Sequence, residues 1–128
     1  MKNYRDLTLI DFNENQTLVI SCDSSGGIGD KEHDQVKTSP DILAYYITSV
    51  ALAEILAYGA KPITIVNTLS VEMDRTGQLI LTGIKRAISF LSLSDDIIIT
   101  GSTEENFTVC QTGMGITVIG VLDKNTWE

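Results

Sequence analysis

A chain of 128 residues, 43% apolar and 20% charged, has the length and composition of one globular domain with room for a real core. Its formal net charge of -8, from 9 basic and 17 acidic residues, argues against a nucleic-acid surface, which needs clustered Lys and Arg. It does not argue against nucleotides, because carboxylates can hold the metal that accompanies a polyphosphate.

The opening "MKNYRDLTLIDFNENQ" is too polar for a signal peptide, so a cytoplasmic location is expected and the sequons at Asn15 and Asn106 are expected to stay unglycosylated. "DLTLI" and "TLVISCD" are β-rich runs around the turn "DFNENQ". Asp11, Asn13 and Asn15 begin like a calcium loop, but Gln16 and Cys22 replace the Gly and Glu that such a loop requires. The glycine-rich "SSGGIGDKEHDQVKT" fits neither the P-loop nor the dinucleotide-binding pattern.

A central helix follows. Ser39 suits its N-cap, Pro40 the first turn, Asp41 the positive end of the dipole, and Gly59 the C-terminal cap. The segment from Ile42 to Ala60 approaches the length of a membrane span, but Glu54, Tyr45, Tyr46, Thr48 and Ser49 interrupt it. The expectation is therefore a buried helix of a soluble protein, with no membrane partner.

"PITIVNTLSVE" reads as a strand, "MDRTG" as a turn, and "QLILTGIKRAISFLSL" as an amphipathic helix with Ile80, Ile84, Ala87, Ile88 and Leu91 on one face. "DDIIIT" and "MGITVIGVL" are strands around the polar loop "GSTEENFT". The predicted order is β-β-α-β-α-β-β, one compact two-layer α/β or α+β domain covering 1–128. Cys22 and Cys110 lack metal-binding spacing and are expected to be small core residues.

Glu54 is the residue out of place. At 100° per residue it shares a stripe with Leu43, Ile47, Val50 and Tyr58, while Asp41 and Thr48 mark the other side. A carboxylate among apolar neighbours needs a metal, a cation or water. Periodicity leaves a ligand site and a structural ion pair equally open. Asp23 ends a strand before the glycines, and Glu104 and Glu105 follow another strand. These segments converge on a divalent cation and a polyphosphate, or they are solvated turns.

"CDSSGGIGDK", "ALAEILAYGAKPITIV" and "IIITGSTEEN" resemble, in the same order, three motifs of one superfamily. It comprises the N-terminal ATP-binding domains of AIR synthase, thiamine-monophosphate kinase, selenophosphate synthetase and a hydrogenase-maturation protein. The resemblance runs from about Thr17 to Leu122, and "YGAKPITIVNTLSV" is its most specific stretch. It implies an α+β fold, an AIR synthase-like mixed sheet packed on helices, two copies of which pair into a barrel-like homodimer with Mg-ATP along the barrel.

On that resemblance Asp23, Glu54 and Glu104 are expected metal ligands for Mg2+. Gly27, Gly29, Lys31 and Thr103 are expected nucleotide contacts. Glu54 stands where the family has Asp, and Ser102 where it has an acid that Glu104 or Glu105 would replace. The family's C-terminal domain is expected to be absent. The function implied is an ATP-dependent kinase for a small metabolite, such as the riboside α-ribazole. The alternative is a non-catalytic nucleotide-binding or partner module. His33, beside Lys31, is either a base or phosphate contact or a solvent-exposed loop residue.

Overall fold

The structure, a computed structural model, describes residues 2–93 and 96–124. Asp95, the first residue of the predicted strand "DDIIIT", lies outside them. The strands are β1 (Lys2–Tyr4), β2 (Leu7–Asp11), β3 (Gln16–Gly26), the short pair β4 (Ile28–Gly29) and β5 (Val36–Lys37), then β6 (Lys61–Leu69), β7 (Ile98–Thr103) and β8 (Gly113–Asp123). Two helices, α1 (Pro40–Ala57) and α2 (Gln78–Phe90), pack on each other and α1 lies over the sheet. The predicted helices and longer strands are all present. The predicted "MDRTG" turn is a π-helical turn, Met73–Gly77, leading directly into α2.

The main sheet has the order β1-β2-β3-β8-β6-β7. Its neighbours are antiparallel except β6 and β7, which are parallel and connected through α2. The sheet is thus mixed and covered by helices on one side, an α+β fold. Alternation along β3 and β8 sets the faces. Thr17, Val19, Ser21, Ile116, Val118 and Leu122 are buried toward the helices. Leu18, Ile20, Ile119 and Val121 point the other way and are half-buried.

Side-chain parity corrects the expectation for the cysteines. Cys22 follows buried Ser21 on β3 and therefore faces outward, and Cys110 precedes β8 in a loop; both are exposed. The apolar run around Cys22 marks a strand, not a strand buried on both faces.

Helix α1 begins as expected, with extended Ser39 before Pro40. It ends at Gly59, whose φ of 94° is open to glycine and costly for other residues. Its sides differ from the expected ones. Thr48 is fully buried, because that side meets α2 and not water. Gly83 of α2 permits the approach: a Cβ there would lie 2.2 Å from the Asp41 carbonyl oxygen. Ile42, Tyr46 and Val50 are instead exposed. Glu54 sits at the margin between the two sides and is half-buried. Although α1 is long and apolar enough to cross a membrane, it supplies the centre of this core through Leu43, Ile47, Leu52 and Ile55.

Candidate functional site

The glycine-rich loop leaves β3 at Gly26 and folds back on the residues before β8. Gly27 has φ 82° and donates its N–H to the Thr112 carbonyl at 2.9 Å. Asp34 anchors the loop. Its carboxylate accepts the Thr112 N–H at 2.8 Å, the Thr112 hydroxyl at 2.7 Å and the Lys31 N–H at 2.9 Å. Burial alone would raise the Asp34 pKa, but these hydrogen bonds outweigh it and hold it below the usual value. Gly29 is required beside this anchor, since a Cβ there would come within 2.2 Å of the Thr112 hydroxyl oxygen.

Lys31 does not extend freely from the loop. Its ammonium lies 2.8 Å from Glu72 Oε1, and its side chain is only 16% exposed. Glu72 Oε2 accepts the Thr76 N–H at 3.0 Å and the Thr76 hydroxyl. Against the cost of burial, the hydrogen bonds from Lys31 and Thr76 pull the Glu72 pKa down to about 2. Arg75 and Asp30 form a second ion pair between the same two segments. His33 is exposed.

The ends of β6, β7 and β3 meet the start of β8 at this side of the sheet. Thr103 donates its hydroxyl to Glu105 Oε2 at 2.7 Å, and Glu105 Oε1 accepts the Met73 N–H at 2.9 Å. Those two contacts hold the Glu105 pKa down. Glu104 accepts the Asn106 N–H at 2.8 Å. The exposed Ser102 pairs in register with Thr68.

Glu54 and Asp23 form a separate neighbourhood toward the β1–β2 edge. An open pocket of about 800 Å3 there is lined by Lys2, Tyr4, Arg5, Asp6, Glu54 and Tyr58, among others. The Tyr4 and Tyr58 rings are 5.4 Å apart, and Arg5 turns the chain with φ 54°. Burial, then the charge of Asp6, then that of Asp23, raise the Glu54 pKa. Its place in the last turn of α1 adds the negative end of the helix dipole. No cation or hydrogen-bond donor meets the Glu54 carboxylate among the described residues. Among the described residues the structural ion pair that periodicity left open is therefore not formed.

The expected site residues thus fall into two groups. Gly27, Gly29 and Lys31 approach Thr103, Glu104 and Glu105 through the Glu72–Met73 bridge. Asp23 and Glu54 stand apart with Asp6. Among the described residues no group of three or more His, Cys, Asp or Glu is placed to hold a metal ion within one chain. Asp23 and Glu54 do suit Mg2+ as a partial site, because Mg2+ commonly takes one or two carboxylates and completes its shell with water and phosphate oxygens. Sequence reading missed Asp6, Asp34, Glu72 and Arg75. Nothing in their local patterns announces contacts across 41 or 78 positions.

The mixed sheet covered by two helices on one face, with its strand-end loops gathered at one side, defines the class of fold. Residues 4–122 match the AIR synthase related protein, N-terminal domain family, and the chain belongs to that family. No curated protein matches it. Among solved structures, AaThiL complexed with AMPPCP and TMP is similar at TM-score 0.68 and 16% identity, over 92% of this chain and 36% of that one. Thiamine-monophosphate kinase from Aquifex aeolicus gives 0.67 and 17%, over 91% and 37%. Thermotoga maritima PurL complexed with ATP gives 0.57 and 13%, over 94% and 20%. At these identities the likeness is one of fold. The chain spans little more than a third of the kinases' length.

Proposed function

We propose that residues 1–128 act as one Mg-ATP-binding domain that works as a homodimer and serves an ATP-dependent phosphotransferase for a small metabolite. A riboside such as α-ribazole is one acceptor to test. The observation that carries the reading is Glu54: a half-buried carboxylate that meets no cation among the described residues, its pKa raised by burial, then by Asp6 and Asp23, on the wall of an open pocket. Such a group is costly in the apo protein and is offset by a metal.

In this reading Asp23 and Glu54 hold Mg2+, and the metal, when bound, neutralises charge on the transferred phosphoryl group. Lys2 and Arg5 line the same pocket as Glu54 and offer positive charge to an anionic ligand. The glycine-rich loop, fixed by Asp34, presents Gly27, Gly29 and Lys31 beside the ends of β6 and β7. The uncovered sheet face, with Leu18, Ile20, Val66, Ile119 and Val121, supports pairing of two copies by their sheets. The bound AMPPCP of AaThiL and ATP of PurL support the choice of ligand.

A second reading is a nucleotide-binding or partner module without catalysis. It is favoured by Lys31, whose ammonium is taken up by Glu72 at 2.8 Å and is not extended toward a phosphate. Thermal-shift screening with Mg-ATP, ribosides and phosphorylated vitamins tests the ligand. Turnover of ATP in the purified protein supports the kinase, and binding without turnover supports the module.

A further inference from the structure

Two ion pairs cross between the glycine-rich loop and the turn that opens α2. Lys31 of the loop meets Glu72 of the turn, and Arg75 of the turn meets Asp30 of the loop. Each segment contributes one cation and one anion. Glu72 is not a loose surface chain, because Thr76 holds its second oxygen through both N–H and hydroxyl. The turn is tied in turn to the β7 exit by the Met73 N–H to Glu105.

We infer that these crossed pairs mask a phosphate site, in which Lys31 and Arg75 are the cations and the Glu72 and Asp30 carboxylates hold the places of phosphate oxygens. The chemistry of the exchange is direct. Carboxylate and phosphate oxygens accept the same charge-assisted hydrogen bonds from ammonium and guanidinium groups. With all four groups ionised the cluster is neutral, in a chain of net charge -8, so a polyphosphate meets no net attraction until a carboxylate yields. Basic residues number only 9 against 17 acidic, yet two of them stand beside Gly27 and Gly29. The clasp sets a threshold: weak anions leave it closed, and a polyphosphate that engages both cations opens it. This rests on the nucleotide-binding reading and adds regulation to it.

The test uses tripolyphosphate without metal, titrated by calorimetry into the whole chain and its variants. Glu72→Gln keeps an acceptor for Thr76 and releases the Lys31 charge, so tripolyphosphate should bind at least tenfold tighter. Adding Lys31→Gln should cancel the gain. Asp30→Asn should produce a similar gain through Arg75. Unchanged or weaker binding by folded Glu72→Gln overturns the clasp. Should that variant melt out, unchanged binding by Asp30→Asn overturns it. The two readings fail separately. A gain for tripolyphosphate with no Mg-ATP binding in the native chain sinks the nucleotide reading alone. Equal Mg-ATP affinity in the native chain and folded Glu72→Gln sinks the clasp alone.

Discussion

Asp34 and Thr112, separated by 78 positions, are joined twice, through the Thr112 N–H at 2.8 Å and its hydroxyl at 2.7 Å. Both residues are buried. Asp34→Ala leaves the N–H groups of Lys31 and Thr112 without their acceptor. Each orphaned buried donor costs about 1–3 kcal/mol, so a loss of about 3 kcal/mol or more is expected in denaturant unfolding. A loss below 1 kcal/mol would show that water replaces the carboxylate easily.

The same anchor has a pH signature. The folded pKa of Asp34 lies below 3.8 and that of Glu72 falls from 4.5 to about 2. The unfolded chain therefore binds their protons first as pH drops. Their stabilisation is complete above pH 4.5 and is lost on acidification through the lowered pKa values. Native protein should lose stability steeply below pH 4, and the loss should be shallower in Asp34→Asn. Parallel acid-unfolding curves for the two proteins would contradict this assignment.

Where local pattern carries the signal, the sequence is legible. Periodicity of 3.6 placed Ile80, Ile84, Ala87 and Ile88 on the buried face of α2, and Gly59 marked the end of α1. Helix α1 was legible as a helix but not in orientation, because apolar residues surround it and its period has no contrast. Only packing decides that Thr48 faces α2 while Val50 faces outward. The cysteines failed for a related reason: hydrophobic neighbours identify a strand, whereas exposure depends on parity. The oddity of Glu54 was legible, but that no described residue brings a cation to it is a three-dimensional fact. So are the Lys31–Glu72 and Asp34–Thr112 contacts.

Gly83 is a packing position. A methyl group at Gly83 would come within 2.2 Å of the Asp41 carbonyl and 2.8 Å of the Ala44 Cβ, forcing α1 and α2 apart. Ala is the better helix former by about 1 kcal/mol in an exposed helix. Overpacking costs about 1–3 kcal/mol or more and should win here. Gly83→Ala is therefore expected to lower the melting temperature. A rise would mean that the helices separate without cost.

The uncovered sheet face makes a separate prediction. Ile20 and Ile119 are cross-strand partners on that face. If two copies pair there, Ile119→Lys places a cation in the interface beside its symmetry mate. The proposed dimer should then sediment as a monomer at micromolar concentration, with the fold retained because the side chain faces away from the helices. A native chain that already sediments as a folded monomer would remove the dimer from the proposed function.

Glu54 gives the most discriminating test. Its folded pKa is raised above 4.5 by burial and by the charges of Asp6 and Asp23. A raised acid contributes stability below its unfolded pKa and loses it as pH rises through the folded value. Glu54→Gln removes that loss. The variant and native apo proteins should therefore be equally stable near pH 4, and the variant should be the more stable at pH 7. A structural ion pair would give the reverse, a loss on the order of 3 kcal/mol from the uncompensated partner. The same substitution should weaken Mg-ATP binding tenfold or more, about 1.4 kcal/mol, since a neutral amide is a poorer Mg2+ ligand than a carboxylate. EDTA should erase the native protein's thermal shift with ATP, and with it the smaller shift that the variant keeps in Mg-ATP. A more stable apo variant with unaltered Mg-ATP affinity would place the metal elsewhere, and a destabilised variant with unaltered affinity would return Glu54 to a purely structural role.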